Sequence, residues 1–283
     1  MAHTILISTA ELEPQLHHPL WAVVDCRFDL SNTGWGEAAY QAGHIPNAVY
    51  AHLDRDLSGP KTGINGRHPL PDTNEFERCV RAWGISARTQ VVAYDQDNGM
   101  YASRLWWLLK YVGHEAVAVL DGGWAKWLRE GRPTQAGGIV REAADFVARP
   151  NPTLLLTAEE VARDWMNNPA RRLLDARAPE RYRGEVEPLD KVAGHIPGAV
   201  NYFYKNNVNA EGAFRSAEEL RAKFLELLRD VSPEEAAHYC GSGVSAAHNI
   251  LAMQVAGLPL TKLYAGSWSE WSSEAGRPVE IGA

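Results

Sequence analysis

Only three of the 283 residues are cysteine, Cys26, Cys79 and Cys240, and no two of them form a CxxC or CxxH pair. An odd, widely spaced set argues for reduced thiols rather than a disulfide framework, and it offers no zinc-ligand spacing. Long apolar runs are missing as well: no stretch reaches the ~18 residues that a membrane span needs. The first residues, Met1 to Ser8, lack a basic region followed by an apolar core, so a cytoplasmic protein is expected. Basic runs are also absent, and the net charge is -7. Nucleic acid and anionic membrane surfaces are therefore poor partners for the molecule as a whole, and any anion site must be local. No metal and no cofactor are expected, and a monomer is the expected state.

What the chain does contain is a duplication. Ser8-Thr9-Ala10-Glu11 and Thr157-Ala158-Glu159-Glu160 both have the spacing of a capping box. Trp21-Ala22-Val23-Val24-Asp25-Cys26-Arg27 and Leu173-Leu174-Asp175-Ala176-Arg177 both read as buried strands ending in an acid and a base. Gly43-His44-Ile45-Pro46 returns as Gly194-His195-Ile196-Pro197. The offsets are 149, 150 and 151 residues, so three matched segments recur in one order at nearly one spacing. Two copies of one fold follow. In each copy short apolar strands alternate with helices, which implies an α/β fold with a mostly parallel sheet covered by helices on both faces. The expected division is a first domain over 1–135, a connection over 136–152 and a second domain over 153–283. The connection includes Gly137-Gly138 and Pro150-Asn151-Pro152 and has little periodicity.

Cys240 lies between a predicted strand that includes Ala236 to Tyr239 and a predicted helix over Ala246 to Ala256. In Cys240-Gly241-Ser242-Gly243-Val244-Ser245 two glycines let the backbone curl, turning amide groups inward, and the following helix adds the positive end of its dipole. Both effects favour a thiolate and an anionic group beside it. Ligands of parallel sheets sit beyond the carboxyl ends of strands, where this cysteine falls. At an offset of 145 the first copy has Asp95 in place of Cys240, followed by Gln96-Asp97-Asn98-Gly99, so an anion would be repelled there. The first domain is expected to be catalytically inactive. His44 and His195 recur in both copies and read as structural, as do Cys26 and Cys79.

These paired segments, together with Asp121-Gly122-Gly123-Trp124, Gly266-Ser267-Trp268 and the single cysteine loop, resemble the two-domain rhodanese-like sulfurtransferases over nearly the whole chain. The loop is most similar to that of the mercaptopyruvate branch, which commonly has Thr where Ser245 stands. Thiosulfate-specific members usually carry basic residues where this chain has Gly241 and Ser242. The resemblance implies two tandem rhodanese-like domains and a ping-pong reaction. Cys240 would take a sulfane sulfur from a small anionic donor, 3-mercaptopyruvate or thiosulfate, and pass it from a persulfide to cyanide or a thiol. It also implies Arg181 and the loop residues Gly241, Ser242, Gly243, Val244 and Ser245 as the substrate-binding set. Where mercaptopyruvate enzymes have a second arginine, this chain has Asp190, with Lys191 next to it as a substitute point charge. Asp56 and His68 match an acid and a histidine of the first domain that are proposed in some members to act with the loop serine.

Three other functions compete. Thiosulfate:cyanide transfer could be the main activity. A dual-specificity phosphatase on a similar fold would need an arginine six positions after the cysteine, where Ala246 stands, and no Lys or Arg occurs between Cys240 and Lys262. A non-enzymatic sulfur carrier, sensor or scaffold would not require the glycine cradle to be kept around Cys240.

Overall fold

The computed structural model describes residues 2–282. The chain divides into two compact units. Of the described residues, one comprises 2–59, 71–151 and 208–214, and the other 60–70, 152–207 and 215–282.

The first unit holds strands β1 (Leu6–Ile7), β2 (Trp21–Asp25), β3 (Val49–Tyr50), β4 (Gln90–Tyr94) and β5 (Val117–Leu120). They form one sheet in the order β1-β5-β4-β2-β3, with every pairing parallel. The second unit repeats it with β6 (Leu155–Leu156), β7 (Arg172–Asp175), β8 (Val200–Asn201), β9 (Ala236–Tyr239) and β10 (Lys262–Tyr264), in the order β6-β10-β9-β7-β8, again parallel. Registers correspond: Asp25 pairs with Tyr94 in one sheet and Asp175 with Tyr239 in the other.

All five residues of β4 and all four of β9 are buried. Since alternate side chains point to opposite faces, both faces of each central strand are covered, as parallel sheets require. Val92, Tyr94 and Trp127 are packed in one core, and Ala237, Tyr239, Trp268 and Trp271 in the other.

Local sequence dictates where helices begin. Ser8 with Glu11, Thr157 with Glu160 and Ser216 with Glu219 all close reciprocal capping boxes, and Asp72 accepts the amides of Asn74 and Glu75. Each satisfies amides that a helix start would otherwise leave unpaired. After Thr157 the α-helix lasts only Ala158–Glu160 before widening into a π-turn over Val161–Trp165.

The acid–base pairs at the strand ends are built alike. Arg27 Nη2 lies 2.6 Å from Asp25 Oδ2 and donates to the Gly43 carbonyl, with its guanidinium over Trp124. Arg177 does the same with Asp175, Gly194 and Trp268. Both pairs are fully buried, a setting in which loss of one partner leaves a costly lone charge. His44 Nδ1 sits 2.8 Å from the Tyr40 carbonyl and His195 Nδ1 2.8 Å from that of Tyr182, each ring stacked on its tyrosine.

Residues 136–151 are irregular and are fastened along the first unit. Ile139 N donates to Tyr40 Oη, Ala144 N to the Arg81 carbonyl, and Arg149 N to the Val112 carbonyl. Residues 60–70, by contrast, precede half of the first repeat in sequence and yet belong to the second unit.

Candidate active site

Cys240 follows directly on β9, the central strand, and its turn leads into the helix Ser245–Val255. Chain connections run from β9 to β10 on one side and from β7 to β8 on the other, so this carboxyl end is a switch point of the sheet. Cys240 is 2 % exposed. Its sulfur accepts the Gly243 amide at 3.2 Å, its own amide donates to Ser267 Oγ, and its carbonyl accepts Trp268 N.

Gly243 has φ +76°, and a Cβ there would lie 2.3 Å from the Ala265 carbonyl oxygen. Only glycine fits both the left-handed backbone and the contact. Ser267 also has positive φ, +56°, at the place where the first copy has Gly123 at +54°. Its hydroxyl donates to the Tyr264 carbonyl and accepts the Cys240 amide, which ties the cysteine to the next strand's turn. The paired Gly-Gly-Trp and Gly-Ser-Trp segments marked the place of Ser267, but not its backbone, because a left-handed serine is uncommon.

Ser242 Oγ is 2.7 Å from His68 Nδ1, and both side chains are buried. The structure therefore brings His68 to the loop as a member of the second unit, not of the first as the repeat order implied. Its neighbours are anchored too: Arg67 N donates to Ser269 Oγ, and a Cβ on Gly66 would lie 2.9 Å from the Gly266 carbonyl.

Arg181 stands against the loop, since a Cβ on Gly241 would be 3.4 Å from its Nη1. It is not a solvated surface arginine: Nη2 donates to Glu187 Oε1 at 2.6 Å and to Asp190 Oδ2 at 3.4 Å. Glu187 also faces Arg177, so two arginines share one carboxylate. Lys191, expected as a substitute charge, is exposed. The cation that sequence reasoning missed is Arg67, whose Nη1 pairs with Asp190 Oδ1 and whose Nη2 lies 2.8 Å from the Cβ position of Gly241. Its place immediately before His68 was the available signal.

Asp56 accepts the His52 amide at 2.7 Å and lies 3.9 Å from Cys79 Sγ, both within the first unit. Burial raises its carboxyl above the usual range. The other two thiols are poor nucleophiles. Burial and then Asp56 push the Cys79 thiol up to about 11, and burial, followed by the charges of Asp25, Asp95 and Asp56, raises Cys26 well above its ordinary value. Among the described residues no cluster of three or more His, Cys, Asp or Glu could hold a metal ion.

The corresponding loop of the first unit is closed by its own acid. The Asp95 carboxylate accepts the amides of Asp97, Gly99, Tyr101 and Ala102, so the cradle that opens the helix Met100–Tyr111 is filled from within. The sequence suggested repulsion of an anion there. The geometry adds occupancy: the donors that would hold one are already taken. Burial, opposed by those amides, raises the Asp95 carboxyl to about 6.

Comparison with known proteins agrees with this architecture. The family model described as the rhodanese-like domain matches residues 8–130 and 157–274. A probable 3-mercaptopyruvate sulfurtransferase of Pseudomonas aeruginosa is 44% identical over 100% of both chains. A putative thiosulfate sulfurtransferase of Mycobacterium tuberculosis is 38% identical, covering 98% of this chain and 97% of the relative. The solved structure of 3-mercaptopyruvate sulfurtransferase from Leishmania major superposes with a TM-score of 0.83 at 28% identity, over 95% of this chain and 74% of that one.

Proposed function

The chain belongs to the rhodanese-like family, present here as two tandem domains, and from that premise we propose that it is a sulfurtransferase working through a Cys240 persulfide with 3-mercaptopyruvate as donor. The observation that carries the reading is the Cys240 sulfur, buried at the carboxyl end of β9, bonded to the Gly243 amide and placed next to a glycine against which Arg181 packs.

The chemistry balances without an outside oxidant. The Cys240 thiolate attacks the donor's sulfur, a Cys–S–S bond forms, and the donor's C–S bond breaks. The electron pair goes to the departing carbon, which leaves as the enolate of pyruvate and takes up one proton. An acceptor, cyanide or a thiolate, then attacks the outer sulfur and returns the Cys240 thiolate. The loop amides from Gly241 to Ser245 suit the developing negative charge, Arg181 suits the donor's carboxylate, and the Ser242–His68 pair suits delivery of the proton. Lys191 is assigned an outlying charge that attracts the anionic donor.

Gly241 and Ser242 place no basic side chain immediately after the cysteine, which favours 3-mercaptopyruvate over thiosulfate. The 38% identical relative, named as a putative thiosulfate sulfurtransferase, keeps thiosulfate as the second reading. With Asp95 closing its loop, the first unit serves as scaffold. No helix among the described residues is long and apolar enough to cross a membrane, and all three thiols are free. We assign the protein to the cytoplasm as a monomer.

Steady-state sulfur transfer to cyanide, with 3-mercaptopyruvate and thiosulfate compared side by side, tests the reading. The first donor should give the higher kcat/KM, and Cys240→Ser should abolish both activities. Turnover retained in Cys240→Ser would refute the mechanism, and a preference for thiosulfate would reverse the choice of donor.

A further inference from the structure

The first unit carries a cavity that the sulfur chemistry does not use. It encloses about 300 Å³ and is lined by His17, His18, Asn47 and Arg141 among apolar residues that include Trp21 and Ile139. No acidic side chain lines it. Trp21 opens β2, so the cavity lies at the amino end of the sheet, opposite the carboxyl end where Asp95 closes its loop. In a chain of net charge -7 this basic, acid-free wall is a local exception.

Arg141 is partly buried, and among the described residues its guanidinium has neither a hydrogen-bond acceptor nor a carboxylate partner. Burial lowers its pKa below the ordinary arginine value, and no interaction opposes that shift. The side chain is nevertheless set in place. Its stem lies against Gly84, where a Cβ would meet Arg141 Nε at 2.8 Å and Arg141 Cβ at 3.1 Å. The backbone is pinned on both sides, with Ile139 N on Tyr40 Oη and Ala144 N on the Arg81 carbonyl. Drawing a charge partly out of water without a counter-charge is unfavourable, and an anion entering the cavity would relieve it.

The two histidines do more than form a turn. Asn47 Nδ2 donates to the Leu16 carbonyl and to His17 Nδ1, and Leu20 N donates to His18 Nδ1. Each Nδ1 is therefore the acceptor of a neutral ring, which places the proton on Nε2 and leaves that N–H for a ligand. At an offset of 150 the second copy has Asn167-Asn168-Pro169 for His17-His18-Pro19, and Asn168 Oδ1 accepts Ala170 N just as His18 Nδ1 accepts Leu20 N. An asparagine thus suffices for the turn. What histidine adds at His18 is the second ring nitrogen.

We propose that this cavity is a second ligand site, for a small carboxylate with an apolar body: Arg141 binds the carboxylate, the Nε2–H groups of His17 and His18 add donors, and Trp21 and Ile139 cover the body. A guanidinium fork meets a carboxylate with two parallel hydrogen bonds. A volume of about 300 Å³ is at the small end of ligand pockets and suits a molecule the size of benzoate. The inference is independent of the sulfurtransferase reading.

The test titrates the full chain with benzoate, neutral benzamide and inorganic phosphate while the imidazole proton resonances are followed by NMR. The His17 and His18 peaks are identified by their loss in His17→Asn and His18→Asn. Benzoate should shift both peaks saturably with a Kd of about 1 mM or lower, and Arg141→Gln should weaken that binding by about tenfold or more. Benzamide should shift neither peak at the same concentrations. His18→Asn, which keeps the turn chemistry of the second copy, should weaken binding by about threefold to tenfold as read by the His17 peak, and it serves if Arg141→Gln does not fold. Sulfur transfer should be unchanged in both variants, which separates this site from Cys240. Benzamide binding as tightly as benzoate, phosphate binding more tightly than benzoate, or equal benzoate affinity in the parent and Arg141→Gln would each overturn the assignment, as would the lack of any saturable shift of the two peaks.

Discussion

Removing the Ser242 hydroxyl should separate the two donors. Ser242 Oγ and His68 Nδ1 are 2.7 Å apart, with Ser242 7% and His68 5% exposed, so bulk water is a poor replacement for either. With 3-mercaptopyruvate the departing carbon must collect a proton, whereas with thiosulfate the sulfite leaves as a stable anion and needs none. A positioned proton donor contributes about 10²-fold or more to such a step. Ser242→Ala should therefore lower kcat for 3-mercaptopyruvate by about a hundredfold, equivalent to about 2.7 kcal/mol of barrier. For thiosulfate it should lower kcat by no more than about threefold, a loss due to loop adjustment alone. His68→Gln should show the same split. Leaving a His68 ring nitrogen without its partner in Ser242→Ala should also cost about 1–3 kcal/mol of stability, read by urea unfolding. The assay is steady-state transfer to cyanide with each donor at saturation. Equal losses with both donors would refute proton delivery and reduce the pair to a support of the loop.

Two further perturbations address the scaffold. Gly243→Ala places a Cβ 2.3 Å from the Ala265 carbonyl at φ +76°, whereas Gly257→Ala meets nothing within 4 Å at φ +67°. Both carry the left-handed cost of about 1–2 kcal/mol, so Gly243→Ala should melt at the lower temperature and it alone should lose sulfur transfer; equal melting points would contradict the packing account. Asp95 is raised from the usual carboxylate range to about 6 in the fold. A raised carboxyl stabilises the fold fully only below its unfolded value, and that contribution disappears as pH rises through about 6. Its size is at most about 3 kcal/mol. Between pH 4 and 7.5 the parent should therefore lose stability relative to Asp95→Asn in urea unfolding, and a constant difference between the two would show that the four amides, not burial, govern this carboxyl.

The duplication was legible because its signals are local: serine and threonine caps, acid–base pairs at strand ends, and the recurring Gly-His-Ile-Pro segment. Cys240 stood out for the same reason. What sequence order concealed was long-range. Arg67 lies about 170 residues from the loop it flanks and carried no signal of its own, and His68 was reached only through the family resemblance; repeat matching kept residues 60–70 with the first repeat because it follows chain order and not contacts. Arg181 was recognisable, but its ties to Glu187 and Asp190 were not, since an acid nine residues away on an irregular segment has no periodicity to reveal it. Asp95 was singled out by its offset from Cys240. That its side chain fills the cradle depends on which way a carboxylate turns, which spacing does not encode.

The central claim, that sulfur is carried on Cys240, is tested most directly by mass. The protein exposed to 3-mercaptopyruvate without acceptor, then digested, should show the peptide containing Cys240 heavier by one sulfur atom, with the addition removed by cyanide and absent from Cys240→Ser. An added sulfur on Cys26 or Cys79, or turnover with no added sulfur on Cys240, would contradict the account.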